Sequence, residues 1–169
     1  MNQKTNIMKK LALIAFLIPS FIFGQNSLEK SILKELNSYR AKNGLTALAY
    51  DSSKSVASRH HSKWMGLSET VSHYETSDVP NFKELNGLED RMEFFNVNLF
   101  SEICDVASIK DFGGNLIKNE LVAKAVIDNF ATSPPHAESM KSYFGKTAPK
   151  GIGIGYFKIK DRVYVTINF

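Results

Sequence analysis

Cysteine is nearly absent from this chain: Cys104 is the only one in 169 residues. A domain with one thiol closes no internal disulfide, so its stability must come from packing. Other absences narrow the function. There is no H-E-x-x-H zinc-binding helix and no G-x-S-x-G elbow to present a nucleophilic serine. Gly151, Gly153 and Gly155 alternate with Ile152, Ile154 and Tyr156, but a strand follows them, so they are no dinucleotide fingerprint. Packing against a close neighbour is the simpler use for a strand face left bare in this way. No basic stripe with interleaved aromatics appears, which argues against a nucleic-acid partner. Repeats and low-complexity segments are also missing.

Long apolar runs are scarce too. The one that stands out is Leu11 to Phe23, preceded by Lys4, Lys9 and Lys10 and followed by Gly24-Gln25. It is short for a membrane span, which needs about 20 apolar residues. A basic start, a short apolar core and a small residue at the end read as a secretory signal peptide over residues 1–24. The expectation is therefore a secreted, extracellular or periplasmic protein, with no membrane anchor once the leader is cut, folding as a single domain over residues 25–169. The three leader lysines account for most of the formal +4 charge. What remains is nearly neutral, so the high pI says little about partners.

Periodicity supplies the elements. Leu28, Ile32, Leu33, Leu36 and Tyr39 share one helical face, with Ser27 placed to cap it and Gly44 just past its end. Asp51 can cap a second helix to about Met65, which Gly66 ends. Residues 74–90 are polar and turn-rich, a loop followed by a short helix from Leu88 to Phe95. Residues 99–106 read as a strand, and Gly113-Gly114 as a turn. Leu121, Val122, Ala125, Val126 and Phe130 make an amphipathic helix over 119–132 that Pro134 stops. At the C-terminus, Val163, Val165, Ile167 and Phe169 alternate with Tyr164, Thr166 and Asn168, the period of a half-buried strand. Its hairpin partner is Ile152 to Ile159, with the turn near Lys160-Asp161. Strands closed by hairpins and long returns favour an α+β layered domain over a doubly wound parallel sheet.

The residues that carry chemistry are few and far apart. His73, Glu102 and His136, the last in the run Ser133-Pro134-Pro135-His136, are two imidazoles and a carboxylate. If folding brings them together, they make a polar pocket able to hold zinc or another divalent cation, or a small polar ligand. The plainer reading is a cluster of buried polar groups bonded to one another. Cys104, two residues beyond Glu102 on a strand, points to the same face and is expected to be buried and inert. His60 and His61 sit mid-helix, and at least one should face solvent. Arg40 is expected to serve packing or an ion pair. Ser133 and Thr132 stand near His136, yet hydroxyls that end a helix before proline are ordinary. Trp64, Phe94, Phe95, Phe100 and Phe130 are expected in the core, with a lipid cleft as the alternative.

Several blocks together resemble the CAP superfamily of cysteine-rich secretory, antigen 5 and pathogenesis-related proteins, also called the SCP domain. They are residues 36–51, 64–73, 101–104 and 130–140, the run GIGIGYF, and the closing VYVTINF. This chain is similar to the short, cysteine-poor bacterial members, over nearly all of residues 28–169. The resemblance implies a three-layer α-β-α sandwich around a mostly antiparallel central sheet, with the C-terminal hairpin in that sheet. It also implies a cavity carrying two histidines and one or two acids. Position by position, His73 matches the first histidine, Glu102 the acid of Gly-Glu-Asn, and His136 the histidine of Ser-Pro-Gly-His. Phe130 and Ser133 stand where other members have a Trp and a second Glu. Ser101, Ile103, Pro135 and Ala137 also depart from the pattern. The implied role is a secreted domain binding a metal, a small molecule or lipid, or an extracellular or envelope partner. A metal-assisted, peptidase-like hydrolase and a ligand-free structural domain are the alternatives, and no catalytic residue is assigned.

Overall fold

A computed structural model describes residues 25–76, 78–141, 149 and 151–169. The leader expected over residues 1–24 lies outside them. The first helix, α1 (Ser27–Lys42), starts one residue earlier than expected. Asn26 caps it by accepting from the Glu29 backbone, while the Glu29 side chain accepts from the Asn26 backbone. This reciprocal pair satisfies two amides that a helix start leaves open. Leu28, Ile32 and Leu36 are fully buried, as their i, i+4, i+8 spacing demands. Arg40 closes the far end, donating to Thr46 O, Met140 O and Lys141 O at 2.8 Å each. Its expected structural role holds.

The two-residue strand β1 (Ala49–Tyr50) leads into α2 (Ser52–Ser68), which Asp51 caps by accepting from Ser53 N and Lys54 N. Gly66 does not end α2. It lies inside the last turn, where a Cβ would come within 2.4 Å of the Phe157 ring. The helix instead stops at Ser68, with Glu69 in the left-handed region. A strap over residues 69–87 then leads to α3 (Leu88–Phe95) and β2 (Glu102–Ser108). Next comes α4 (Asn119–Thr132), and Pro134 starts a further helix, α5 (Pro134–Lys141), as well as stopping α4. The hairpin β3 (Gly151–Ile159) and β4 (Arg162–Asn168) ends the chain.

The sheet order is β1-β3-β4-β2. β1 runs parallel to β3, and the other pairings are antiparallel. α1 and α4 cover one face over Ile103, Ile152, Ile154, Val163, Val165, Ile167 and Phe169. α2 covers the other, with a smaller core of Trp64, Met65, Val79, Cys104 and Tyr164. This is the α-β-α sandwich.

Two expectations need correction. β4 is buried on both faces, so Tyr164, Thr166 and Asn168 do not meet water. Serines of α2 receive them: Ser62 Oγ donates to Thr166 Oγ1 and Asn168 Nδ2 donates to Ser58 Oγ, both at 2.9 Å. Polar spacing marked a second, hydrogen-bonded interface. Phe94 and Phe100 are half exposed and lie outside the core. The bare face of Gly153 and Gly155 does serve close packing, because a Cβ on either would collide with the α2 backbone at 2.2–2.4 Å.

Candidate functional site

β2 is an edge strand, and Glu102 is its first residue. Alternation sends Ile103 and Ala107 into the larger core and turns Glu102 and Cys104 toward α2. His73 stands in the strap just after α2. Its Nδ1 lies 3.1 Å from Glu102 Oε1, and its side chain is about half exposed (49%) while that of Glu102 is buried. Both line a pocket of about 310 Å³ together with Tyr74, Leu88 and Glu89.

Behind this pair lies a buried network absent from the sequence reading. Arg91 of α3 donates from Nη2 to Glu102 Oε1 (2.8 Å) and His73 O (3.1 Å), and from Nη1 to Leu85 O (3.1 Å) and Glu75 Oε1 (3.5 Å). Glu75, also buried, faces His61 Nδ1 at 2.8 Å and His60 Nε2 at 3.3 Å, and accepts from Leu85 N at 2.6 Å. Burial pushes the Glu75 carboxyl up, but the bonds from His60, His61 and Leu85 outweigh it and hold the group at about 2. It is therefore a carboxylate at neutral pH. His61 is fully buried, with its other nitrogen 2.7 Å from Ser72 O. Both ring nitrogens therefore face oxygen atoms, the carboxylate of Glu75 and the Ser72 carbonyl. His61 is fully buried and His60 keeps a small exposed fraction (15%), less than expected, because Glu75 faces both.

Glu102 follows the same pattern. Burial raises its pKa, but the His73 bond and the charges of His61, Arg91 and His73 bring it below the usual carboxylate value. Its two oxygens differ. Oε1 is bonded to His73 and Arg91, whereas Oε2 is buried without a hydrogen-bond partner. A buried carboxylate oxygen without such a partner is costly, and the Cys104 thiol is the group that stands beside this carboxylate.

His136 lies in the first turn of α5, its ring edge-on to Phe130 at 5.2 Å. It is not among the residues lining the pocket. Charge ties it to the rim. Burial lowers its pKa, the His73 charge lowers it further, and Asp105 opposes both. Folding thus joins His73 and Glu102 directly and brings His136 within electrostatic range of His73.

Among the described residues, the group of His, Cys or acidic ligand atoms that all lie within 4.8 Å of one another is His61, Glu102 and Cys104. That group fits a metal poorly. Both His61 nitrogens are committed to hydrogen bonds, and burial first, then Glu102, holds the Cys104 thiol well above its ordinary value. A metal wants a free imidazole lone pair and a thiolate. His73 and Glu102 meet directly at the pocket, whereas His136 does not join them in a group whose ligand atoms lie within 4.8 Å of one another, so the expected convergence of all three is only partly met.

The model of the cysteine-rich secretory protein family, CAP, matches residues 33–169. The chain belongs to the CAP family. An extracellular SCP-domain protein from Bacillus anthracis superposes with a TM-score of 0.55 at 20% identity, covering 83% of this CAP chain and 39% of its own. The chain thus spans about two-fifths of that protein. An outer surface protein from Borrelia burgdorferi gives 0.57 at 16% identity, covering 86% and 94%. At such identities the likeness shows the fold. Among curated proteins nothing matches. No helix of the described residues is long and apolar enough to cross a membrane.

Of the functional residues missed, His61 left a trace. With Ala57 and Trp64 it falls on the buried stripe of α2, at spacings of four and three. Glu75 sits in a polar loop without periodicity and left none.

Proposed function

We propose that this chain is an exported CAP domain whose pocket binds a divalent cation through Glu102 and His73, with His136 completing the set from α5. The reading rests chiefly on the Glu102 carboxylate, whose Oε1 is held by His73 and Arg91 while Oε2 is buried and unpartnered. Oxygen and imidazole donors suit zinc and similar ions. When bound, the cation supplies an electropositive, Lewis-acidic point at the pocket. Arg91 already sets a positive charge against Glu75 and Glu102, so affinity is expected to be modest. Tyr74 and Leu88 on the pocket wall give an apolar side to a small ligand, lipid fragments included. Export is supported by the apolar run of residues 11–23 and by relatives described as extracellular or outer-surface proteins.

Calorimetric titration with zinc tests the site. One cation per chain is expected, with affinity reduced at least about tenfold in His73→Ala and again in His136→Ala. Equal affinity in all three proteins would remove the proposal. Fractionation of the producing cells tests export, and protein confined to the cytoplasm would contradict it.

A further inference from the structure

Among the described residues, the most exposed large apolar one stands far from this pocket. Phe112 is fully open to water, and Leu116 and Leu121 near it are 74% and 56% exposed. These residues sit in and just after the loop that follows β2, at the end of that strand opposite Glu102. Seven residues of strand separate the two ends, roughly 20 Å at the usual rise.

The loop is built to hold its shape. The Asp111 carboxylate accepts from Gly113 N (2.9 Å) and Asn115 N (2.8 Å), and Gly114 N donates to Asp111 O (3.0 Å). Gly114 takes φ +82°, which glycine adopts without a steric cost. Below the tip, Lys110 pairs with Leu116 as a β-bridge, and Ile117 N donates to Ile109 O at 3.0 Å. Ile109 N and Lys110 Nζ fasten this stem to Asp161 of the β3–β4 turn, at 2.9 and 2.7 Å. An apolar ring is therefore projected from a braced hairpin and not from a slack loop.

Its surroundings are charged, with basic residues slightly in excess. Lys118, Lys158 and Arg162 are exposed at the same end of the sheet. Asp161 and Glu69 are paired with Lys110 and Lys160, whereas Asp111, bonded only by amides of its own turn, keeps its negative charge beside Phe112. Among the described residues there, Asp111 and Glu120 are the exposed acids without a cationic partner, so Lys118, Lys158 and Arg162 leave a small cationic excess at this end. A projecting aromatic ring with flanking aliphatic side chains and a cationic rim matches an anionic lipid surface, which takes the ring below its headgroups and the cations among them. We propose that this end of the sheet seats the protein on an anionic membrane surface, with Phe112 as the inserted group and Lys118, Lys158 and Arg162 as the rim. The pocket, at the other end of β2, would then face away from the bilayer. This inference does not depend on the cation reading.

The test is placed at the tip itself, because the N-terminal apolar run could bind vesicles on its own. Phe112→Trp in the full chain adds an exposed indole to the buried Trp64. With vesicles of equimolar phosphatidylcholine and phosphatidylglycerol, the new indole should shift its emission to the blue and be quenched by brominated acyl chains. With phosphatidylcholine alone it should not. Adding Lys118→Glu and Lys158→Glu should weaken partition roughly tenfold or more, and His73→Ala should leave it unchanged. An indole that stays in water on every vesicle overturns the proposal, as does equal insertion into neutral vesicles. A blue shift that grows with protein concentration in the absence of lipid would make the tip a self-association surface and overturn it equally.

Discussion

Arg91 and Glu75 decide the site at the scale of the residue. Arg91 reaches acceptors on the strap and on β2, so the position of His73 is set by a residue of α3. Glu75 fastens the same strap to α2 through His61 and His60. Because bonds to the charged form hold its pKa at about 2, below the ordinary 4.5, Glu75 stabilises the fold fully above pH 4.5. That contribution is lost as the pH falls from 4.5 toward 2, since the unfolded chain takes up the proton first. Glu75→Gln should flatten this part of the stability curve and cost about 3 kcal/mol at neutral pH, because it takes a carboxylate from the buried Arg91 guanidinium. Urea unfolding of both proteins across pH 2–7 checks it. Parallel curves would mean that Glu75 titrates alike in the folded and unfolded states.

At the scale of the element, the contact between α2 and the β3–β4 hairpin is set by what is missing. Gly153 and Gly155 let the backbone of α2 lie on the sheet, and the serines of α2 bond the polar side chains of β4. A methyl at Gly155 would meet Arg59 N and Ser58 C at 2.2 Å, so Gly155→Ala should cost about 3 kcal/mol or more. Gly44→Ala, where open space surrounds the site but φ is +72°, should cost only about 1 kcal/mol. Comparable losses in thermal unfolding would contradict this packing account. The same contact shows what could be read ahead. The apolar stripes of α1 and α4 gave those helices, because burial on one face leaves a period in the sequence, and β4 was legible because an apolar face and a hydrogen-bonded polar face alternate along it. β1 is too short to carry a period. α5 was hidden by its prolines, which mark a helix start as readily as a stop. The role of Gly66 depends on Phe157, which is remote in sequence.

At the scale of the whole molecule, the layers bring three segments to one edge of the sheet: the strap after α2, the start of β2 and the start of α5. His73 and Glu102 were legible as candidates, and folding bonds them to each other. The support behind them was not legible, because a buried ion network is assembled from loop and helix residues that share no spacing rule. Such a network holds Glu102 by Oε1 while Oε2 is buried without a hydrogen-bond partner. That oxygen carries the central claim. Crystals grown with zinc, measured at the zinc absorption edge, test it most directly. An anomalous peak bound by Glu102 and His73, with His136 as a further ligand, is the expected result. A peak on His61 and Cys104, or none at Glu102 with zinc in excess, would contradict the account.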